Sequence, residues 1–123
     1  MTRRHGALVV DGDPAIRGFL GLALDLDDYE VRTAGNGREA LRLLRAWWPS
    51  VILLDLMMPV LDGWGFRAEQ LRDERLSGIP VVLLSTICEL QHEARKLGVT
   101  ACLRKPFDLD ELLATVRRLV DRA

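Results

Sequence analysis

Cysteine is scarce. Cys88 and Cys102 are the two in 123 residues, too few for a disulfide framework, and they read as unrelated free thiols of a reducing compartment. A redox pair between them is the lesser reading. Neither sign of charge dominates. Seventeen basic and eighteen acidic side chains leave a net −1, which gives no support to a broad nucleic-acid-binding surface. No apolar run approaches the length needed to cross a bilayer. The basic start Met1-Thr2-Arg3-Arg4-His5 is followed by a short apolar stretch that ends in acids, so it reads as no secretion signal. His5 and His92 lack partners at metal-ligand spacing and are expected at the surface. Repeats, low-complexity tracts and linkers are missing too. What remains is 49% hydrophobic and 28% charged, the composition of one soluble domain spanning 1–123.

Short apolar runs alternate with helical patterns. Ala7-Leu8-Val9-Val10, Val51-Ile52-Leu53-Leu54 and Val81-Val82-Leu83-Leu84 are continuous and partly β-branched. Such runs suit parallel strands covered on both faces. Tyr29-Glu30-Val31-Arg32-Thr33 alternates in polarity and Thr100-Ala101-Cys102-Leu103 is short, so both are expected at sheet edges. Ile16, Phe19, Leu20 and Ala23 mark the apolar face of a first helix. Leu41, Leu44 and Trp48 mark a second that Pro49 ends, with Trp47 and Trp48 at its close, one in the core and one partly exposed. Asp62-Gly63 opens a third, reaching about Arg72, and a fourth runs from near Glu89 to Leu97 with Gly98 as its stop. Leu109, Leu112, Leu113, Val116, Leu119 and Val120 pattern the last, with Asp108 and Glu111 spaced as cap and N3 partner. The order (βα) five times predicts an α/β fold, a parallel sheet with helices on both faces.

Ligands in that architecture bind beyond the carboxyl ends of the strands. Asp11, Asp55 and Ser85 end strands one, three and four, and Lys105-Pro106 follows strand five. Two acids crowded together attract a hard cation such as Mg²⁺. A lysine beside them supplies a point charge for phosphate. A carboxylate nucleophile, a metal, a hydroxyl and an ammonium together describe phosphoryl transfer onto an aspartate.

Three segments make the chain resemble the receiver domain of two-component response regulators over essentially its whole length. They are Val9-Val10-Asp11-Gly12-Asp13-Pro14-Ala15-Ile16-Arg17, Leu54-Asp55-Leu56-Met57-Met58-Pro59-Val60-Leu61-Asp62-Gly63 and Leu103-Arg104-Lys105-Pro106-Phe107. The middle one is the most specific. The resemblance implies a flavodoxin-like sheet ordered 2-1-3-4-5. It implies Asp55 as phosphoacceptor, with Mg²⁺ held by Asp11, Asp55 and the Met57 backbone carbonyl. Ser85 becomes the switch hydroxyl, with Thr86 beside it, and Lys105 the partner of the phosphoryl group, before a cis bond to Pro106. It also implies a histidine kinase or phosphotransfer protein as donor, and a downstream target or fused output domain as receiver of the signal. The domain is expected to be cytoplasmic, a monomer or weak homodimer, and a kinase substrate more than an enzyme.

The departures from the family pattern are specific. Gly12 stands where a second, metal-binding acid is usual. Asp13 is the candidate replacement, although Asp13-Pro14 is explained more simply as an N-cap followed by proline at the first helical position. Cys102 occupies the place of the family's switch aromatic, so the signal is expected to depend on the loop from Ser85 to about Leu90. Met57 and Ile87 are apolar where side chains influence hydrolysis of the phosphoaspartate, which predicts slow self-dephosphorylation. Trp64 is expected near the acidic crevice. The competing reading is a receiver-like interaction module with weak or no Mg²⁺-dependent phosphorylation, because of Gly12. A flavodoxin-type cofactor protein is disfavoured, since no Ser/Thr/Gly-rich phosphate loop follows strand one.

Overall fold

The computed structural model describes residues 4–87, 89–99 and 101–121. Five strands, β1 (Gly6–Val10), β2 (Glu30–Ala34), β3 (Val51–Asp55), β4 (Val81–Ser85) and β5 (Ala101–Arg104), alternate with five helices. The helices are α1 (Pro14–Leu26), α2 (Gly37–Leu43), α3 (Gly63–Arg72), α4 (Leu90–Leu97) and α5 (Leu109–Asp121). The strands are all parallel, in the order β2-β1-β3-β4-β5. This is the flavodoxin-like (βα)₅ arrangement expected of the sequence.

The continuous apolar runs are explained by two cores. Ala7, Val9, Leu53, Val82 and Leu84 point to one side, where Leu20 and Leu24 of α1 and Leu112, Val116 and Leu119 of α5 cover them. Leu8, Val10, Ile52, Leu54 and Leu83 point to the other, under Ala40 and Leu44, Phe66 of α3, and Leu90 and Ala94 of α4. Successive strand residues face opposite ways, so only a run apolar at every position can serve both sides. Each fully buried leucine or isoleucine contributes about 1.5–3 kcal/mol relative to exposure.

Several helix ends follow local chemistry. Asp13 caps α1 by accepting from the Ala15 amide at 2.8 Å, ahead of Pro14 at the first helical position. Asp108 accepts from the Glu111 amide at 3.2 Å at the start of α5. Gly98 closes α4 in the left-handed region at φ 70°, where a β-carbon would be strained.

Two helix expectations are corrected. The second helix ends at Leu43, not near Pro49. The next turn tightens through bonds from the Arg45 and Ala46 amides to the Arg42 and Leu43 carbonyls, and Arg75 reaches across to donate to the Leu44 carbonyl. Trp47 and Trp48 therefore lie beyond the helix. Trp47 is half-buried under the Arg32 guanidinium, 4.6 Å from its ring centre, while Trp48 is exposed and donates to the Arg75 carbonyl at 2.8 Å. On α1 the covered face runs through Ile16, Leu20 and Leu24, and Phe19 turns outward, 53% exposed. With apolar residues on nearly every side of α1, contact with the sheet decides which are buried.

Candidate functional site

The reversal of strand order between β1 and β3 opens a crevice beyond their carboxyl ends. Pairing of Val10 with Leu54 places Asp11, the residue after β1, beside Asp55, the last of β3. Ser85 ends β4 and pairs with Arg104 of β5, and the Lys105 amide donates to the Ser85 carbonyl at 2.9 Å. The sheet register thus brings all four strand-end groups to one rim. The Lys105–Pro106 peptide is cis, as the resemblance implied.

Asp11 is fully buried and Asp55 is 6% exposed. The Lys105 ammonium donates to Asp11 Oδ2 at 2.7 Å and stands 3.5 Å from Asp55 Oδ1. Asp11 Oδ1 also accepts from the Asp13 amide at 2.9 Å, and Asp55 Oδ1 accepts from the Met57 amide at 3.4 Å. Buried acids so close together need this cation. Burial, and then the neighbouring Asp11 charge, still hold the Asp55 carboxyl above its ordinary pKa, with Lys105 pulling the other way.

The backbone around Asp55 is shaped by its own segment. A β-carbon on Gly63 would fall 2.5 Å from the Asp55 carbonyl oxygen, so only glycine permits α3 to start against the strand end. Asp62 caps α3 through the Gly65 amide at 2.9 Å. Between Asp55 and Asp62, Val60 has φ 68°, and the Leu61 amide donates to the Pro59 carbonyl at 2.8 Å, the geometry of a γ-turn. Trp64, one residue past Gly63, is half-buried and packs against the core that holds Leu54, Leu56 and Phe66.

The oxygens available to a divalent cation are the Asp11 and Asp55 carboxylates and the Met57 carbonyl, a hard donor set of the kind Mg²⁺ accepts with water completing its shell. Gly12 adds no side-chain oxygen. A β-carbon there would lie 3.7 Å from the Met57 carbonyl oxygen, so position 12 faces that donor. Asp13 is exposed and its carboxylate is committed to the α1 cap. Among the described residues no group of three or more His, Cys, Asp or Glu side chains is arranged to hold a metal.

The remaining sequence-marked residues fall as follows. Thr86 is exposed and Ile87 half-buried after Ser85, whose hydroxyl accepts from the Ile87 amide at 3.2 Å. Cys102 is half-buried on β5, its thiol pushed up by burial with Arg104 opposing. Cys88 lies outside the described residues, as does Thr100. His5 and His92 are exposed. Three arginines had drawn no role in the sequence. Arg17 donates to the Asp11 carbonyl at 2.7 Å, bracing the β1–α1 turn. Arg104 donates to the Ile87 carbonyl at 2.9 Å. Arg67 is buried and donates to Gln70 and to the Leu97 and Gly98 carbonyls. Only for Arg17 was there a local signal, its place one turn into the helix after Asp11.

The chain belongs to the response regulator receiver domain family, whose pattern it matches over residues 7–117. It is 37% identical, over 94% of its length, to the DNA-binding dual master transcriptional regulator RpaA of Synechocystis. It covers 48% of RpaA, so the chain spans about half the length of such curated relatives. Chemotaxis response regulator CheY4 of Vibrio cholerae superposes with a TM-score of 0.87 at 32% identity, covering 95% of this chain and 99% of that one. The receiver domain of sensor histidine kinase PA1611 from Pseudomonas aeruginosa, described with a magnesium ion coordinated in its active-site cleft, shares the fold at 24% identity and a TM-score of 0.87, covering 97% of this chain and 99% of that one. Receiver domains are two-component signalling proteins rather than classical enzymes. They interact with histidine kinases and generally bind Mg²⁺. Among the described residues no helix is long and apolar enough to cross a membrane.

Proposed function

We propose that this receiver domain, spanning 1–123, accepts a phosphoryl group on Asp55 from a phosphohistidine of a kinase or phosphotransfer protein. The observation that carries the reading is the Lys105 ammonium between two buried acids, 2.7 Å from Asp11 and 3.5 Å from Asp55. An Asp55 carboxylate oxygen attacks phosphorus, the N–P bond breaks, and its electron pair leaves with the imidazole. The product is an acyl phosphate whose oxygens lie within reach of Lys105. Asp11, Asp55 and the Met57 carbonyl would hold the Mg²⁺, which when bound supplies charge neutralisation for the phosphoryl oxygens.

Charge-assisted contacts that the bare carboxylate cannot make then draw the Ser85 hydroxyl and Lys105 toward the new dianion. Thr86, exposed next to the switch hydroxyl, narrows access to Asp55, and the loop from Ser85 to Leu90 is the element that moves. Met57 and Ile87 offer no polar side chain to orient a water, so the phosphoaspartate turns over slowly. The domain works in the cytoplasm as a monomer or weak homodimer and does not itself bind nucleic acid. It signals to a protein target or a fused output domain.

The test is incubation of the purified domain with radiolabelled acetyl phosphate and Mg²⁺, with Asp55→Ala as control. Alkali-labile label is expected on the natural domain alone, with a half-life well beyond seconds. No label, together with no response of tryptophan fluorescence to Mg²⁺, would overturn the reading in favour of a receiver-like module that signals by binding.

A further inference from the structure

Ile87 ties the β4–α4 loop to the sheet through both its amide and its carbonyl. The Ile87 amide donates to the Ser85 hydroxyl at 3.2 Å, and the Ile87 carbonyl accepts from Arg104 at 2.9 Å. Ser85 and Arg104 are register partners on β4 and β5, so both ends of this clamp stand on the same rung of the sheet. Glu89 at the start of α4 makes no side-chain capping bond. Cys102, two residues before Arg104, is small and half-buried, and packs on the same core as Ile87.

We propose that Arg104 is a positioning residue that latches the resting loop and opposes the switch. The proposal rests on the phosphoacceptor reading of Asp55. As the Ser85 hydroxyl turns toward a phosphoryl group, the Ile87 amide loses its acceptor. The guanidinium on the Ile87 carbonyl then remains as a restraint from β5. In this chain, β5 is coupled to the loop by a charged hydrogen bond, where an aromatic ring would act by filling space. A bond to a charged donor is stronger than one between neutral groups, but a partly exposed one is weakened by water. Its removal is therefore worth a modest factor in the resting-to-switched equilibrium, and any ligand of the switched form gains that factor.

The experiment uses the full domain, Arg104→Ala and Arg104→Lys. Beryllofluoride with Mg²⁺ serves as the phosphoryl mimic, titrated by tryptophan fluorescence, and hydrogen exchange of the 86–90 segment is followed without ligand. Arg104→Ala is expected to bind the mimic about threefold to tenfold more tightly and to exchange the Ile87 amide faster by a similar factor. Arg104→Lys falls between it and the natural domain. Loss of a merely structural contact would leave binding unchanged or weaken it. Unchanged or weaker binding by Arg104→Ala therefore overturns the latch. If the natural domain itself fails to bind the mimic, the phosphoacceptor reading falls. The latch is then judged by exchange alone, and an Ile87 amide no faster in Arg104→Ala overturns it.

Discussion

The Lys105 ammonium sits closer to Asp11, at 2.7 Å, than to Asp55, at 3.5 Å. In this state the lysine neutralises the inner acid first and leaves the Asp55 oxygens the less encumbered. Lys105→Met should therefore do more than remove a phosphate contact. It leaves two buried carboxylates facing each other without a cation, and breaking a buried pair in this way costs about 3 kcal/mol. Urea denaturation at neutral pH is expected to show that loss. The loss should shrink in acid, where one carboxyl takes a proton and the repulsion ends. A variant as stable as the natural domain at neutral pH would mean that the three groups are not coupled.

Asp55 carries the opposite expectation. Burial and the Asp11 charge raise its pKa in the folded state, so folding favours the protonated form. The sign follows from linkage: the ionised carboxyl destabilises the fold above its folded pKa, and the penalty disappears as pH falls below the unfolded value. Asp55→Asn keeps an acceptor for the Met57 amide while removing the charge. Its melting temperature is expected to exceed the natural domain's by a few degrees at neutral pH, the two converging as pH falls through the carboxylate range. A lower melting point at neutral pH would show that the Lys105 attraction outweighs burial.

How much of this was legible depends on whether the cause was local. Asp55 was visible because an acid closes the apolar run from Val51 to Leu54, and Asp13 because proline follows a capping residue. Parallel strands buried on both faces leave that kind of signature. The early end of α2 was not visible, because the Arg75 guanidinium that meets the Leu44 carbonyl is 31 residues away. Phe19 was misassigned for a related reason, since Ile16, Leu20, Leu22, Leu24 and Leu26 make α1 apolar in several directions. The roles of Arg67 and Arg104 depend on backbone carbonyls 30 and 17 residues away. A carbonyl has no residue-type signature, so no spacing rule finds it.

Arg67 supplies a stability test on the α3–α4 side. It is buried, with its charge disfavoured by desolvation, yet it donates to neutral acceptors: Gln70 Oε1 at 2.8 Å and the Leu97 and Gly98 carbonyls. Those carbonyls close α4, where a cation complements the helix dipole. Gln70 in turn donates to the Leu76 and Ile79 carbonyls before β4. Arg67→Met fills the same space but leaves three acceptors without this donor, and a loss of about 2–3 kcal/mol is expected. Gln70→Met should be less than additive with it, because the two side chains share a bond. Additive losses in the double variant would show that they act independently.

Gly12 is the departure that the geometry allows to be reversed. It does not have a left-handed φ, so its backbone accepts any side chain. A β-carbon there meets Pro59 at 3.5 Å and the Met57 carbonyl oxygen and Met58 at 3.7 Å, all ordinary contacts. A carboxylate at this position would join Asp11, Asp55 and the Met57 carbonyl as a further hard oxygen donor. Gly12→Asp is expected to tighten Mg²⁺ binding by at least about tenfold, since even an outer-shell partner is worth that much to a metal site. Without metal the same variant should melt lower than the natural domain, because a third acid crowds two that share one lysine. Added Mg²⁺ should then raise its melting point in proportion to the logarithm of metal concentration. Gly12→Asn separates charge from bulk: it should show neither the metal-free loss nor the full gain in affinity. Tryptophan fluorescence reads the titration, and equal Mg²⁺ affinity in Gly12→Asp and the natural domain would show that position 12 does not face the cation.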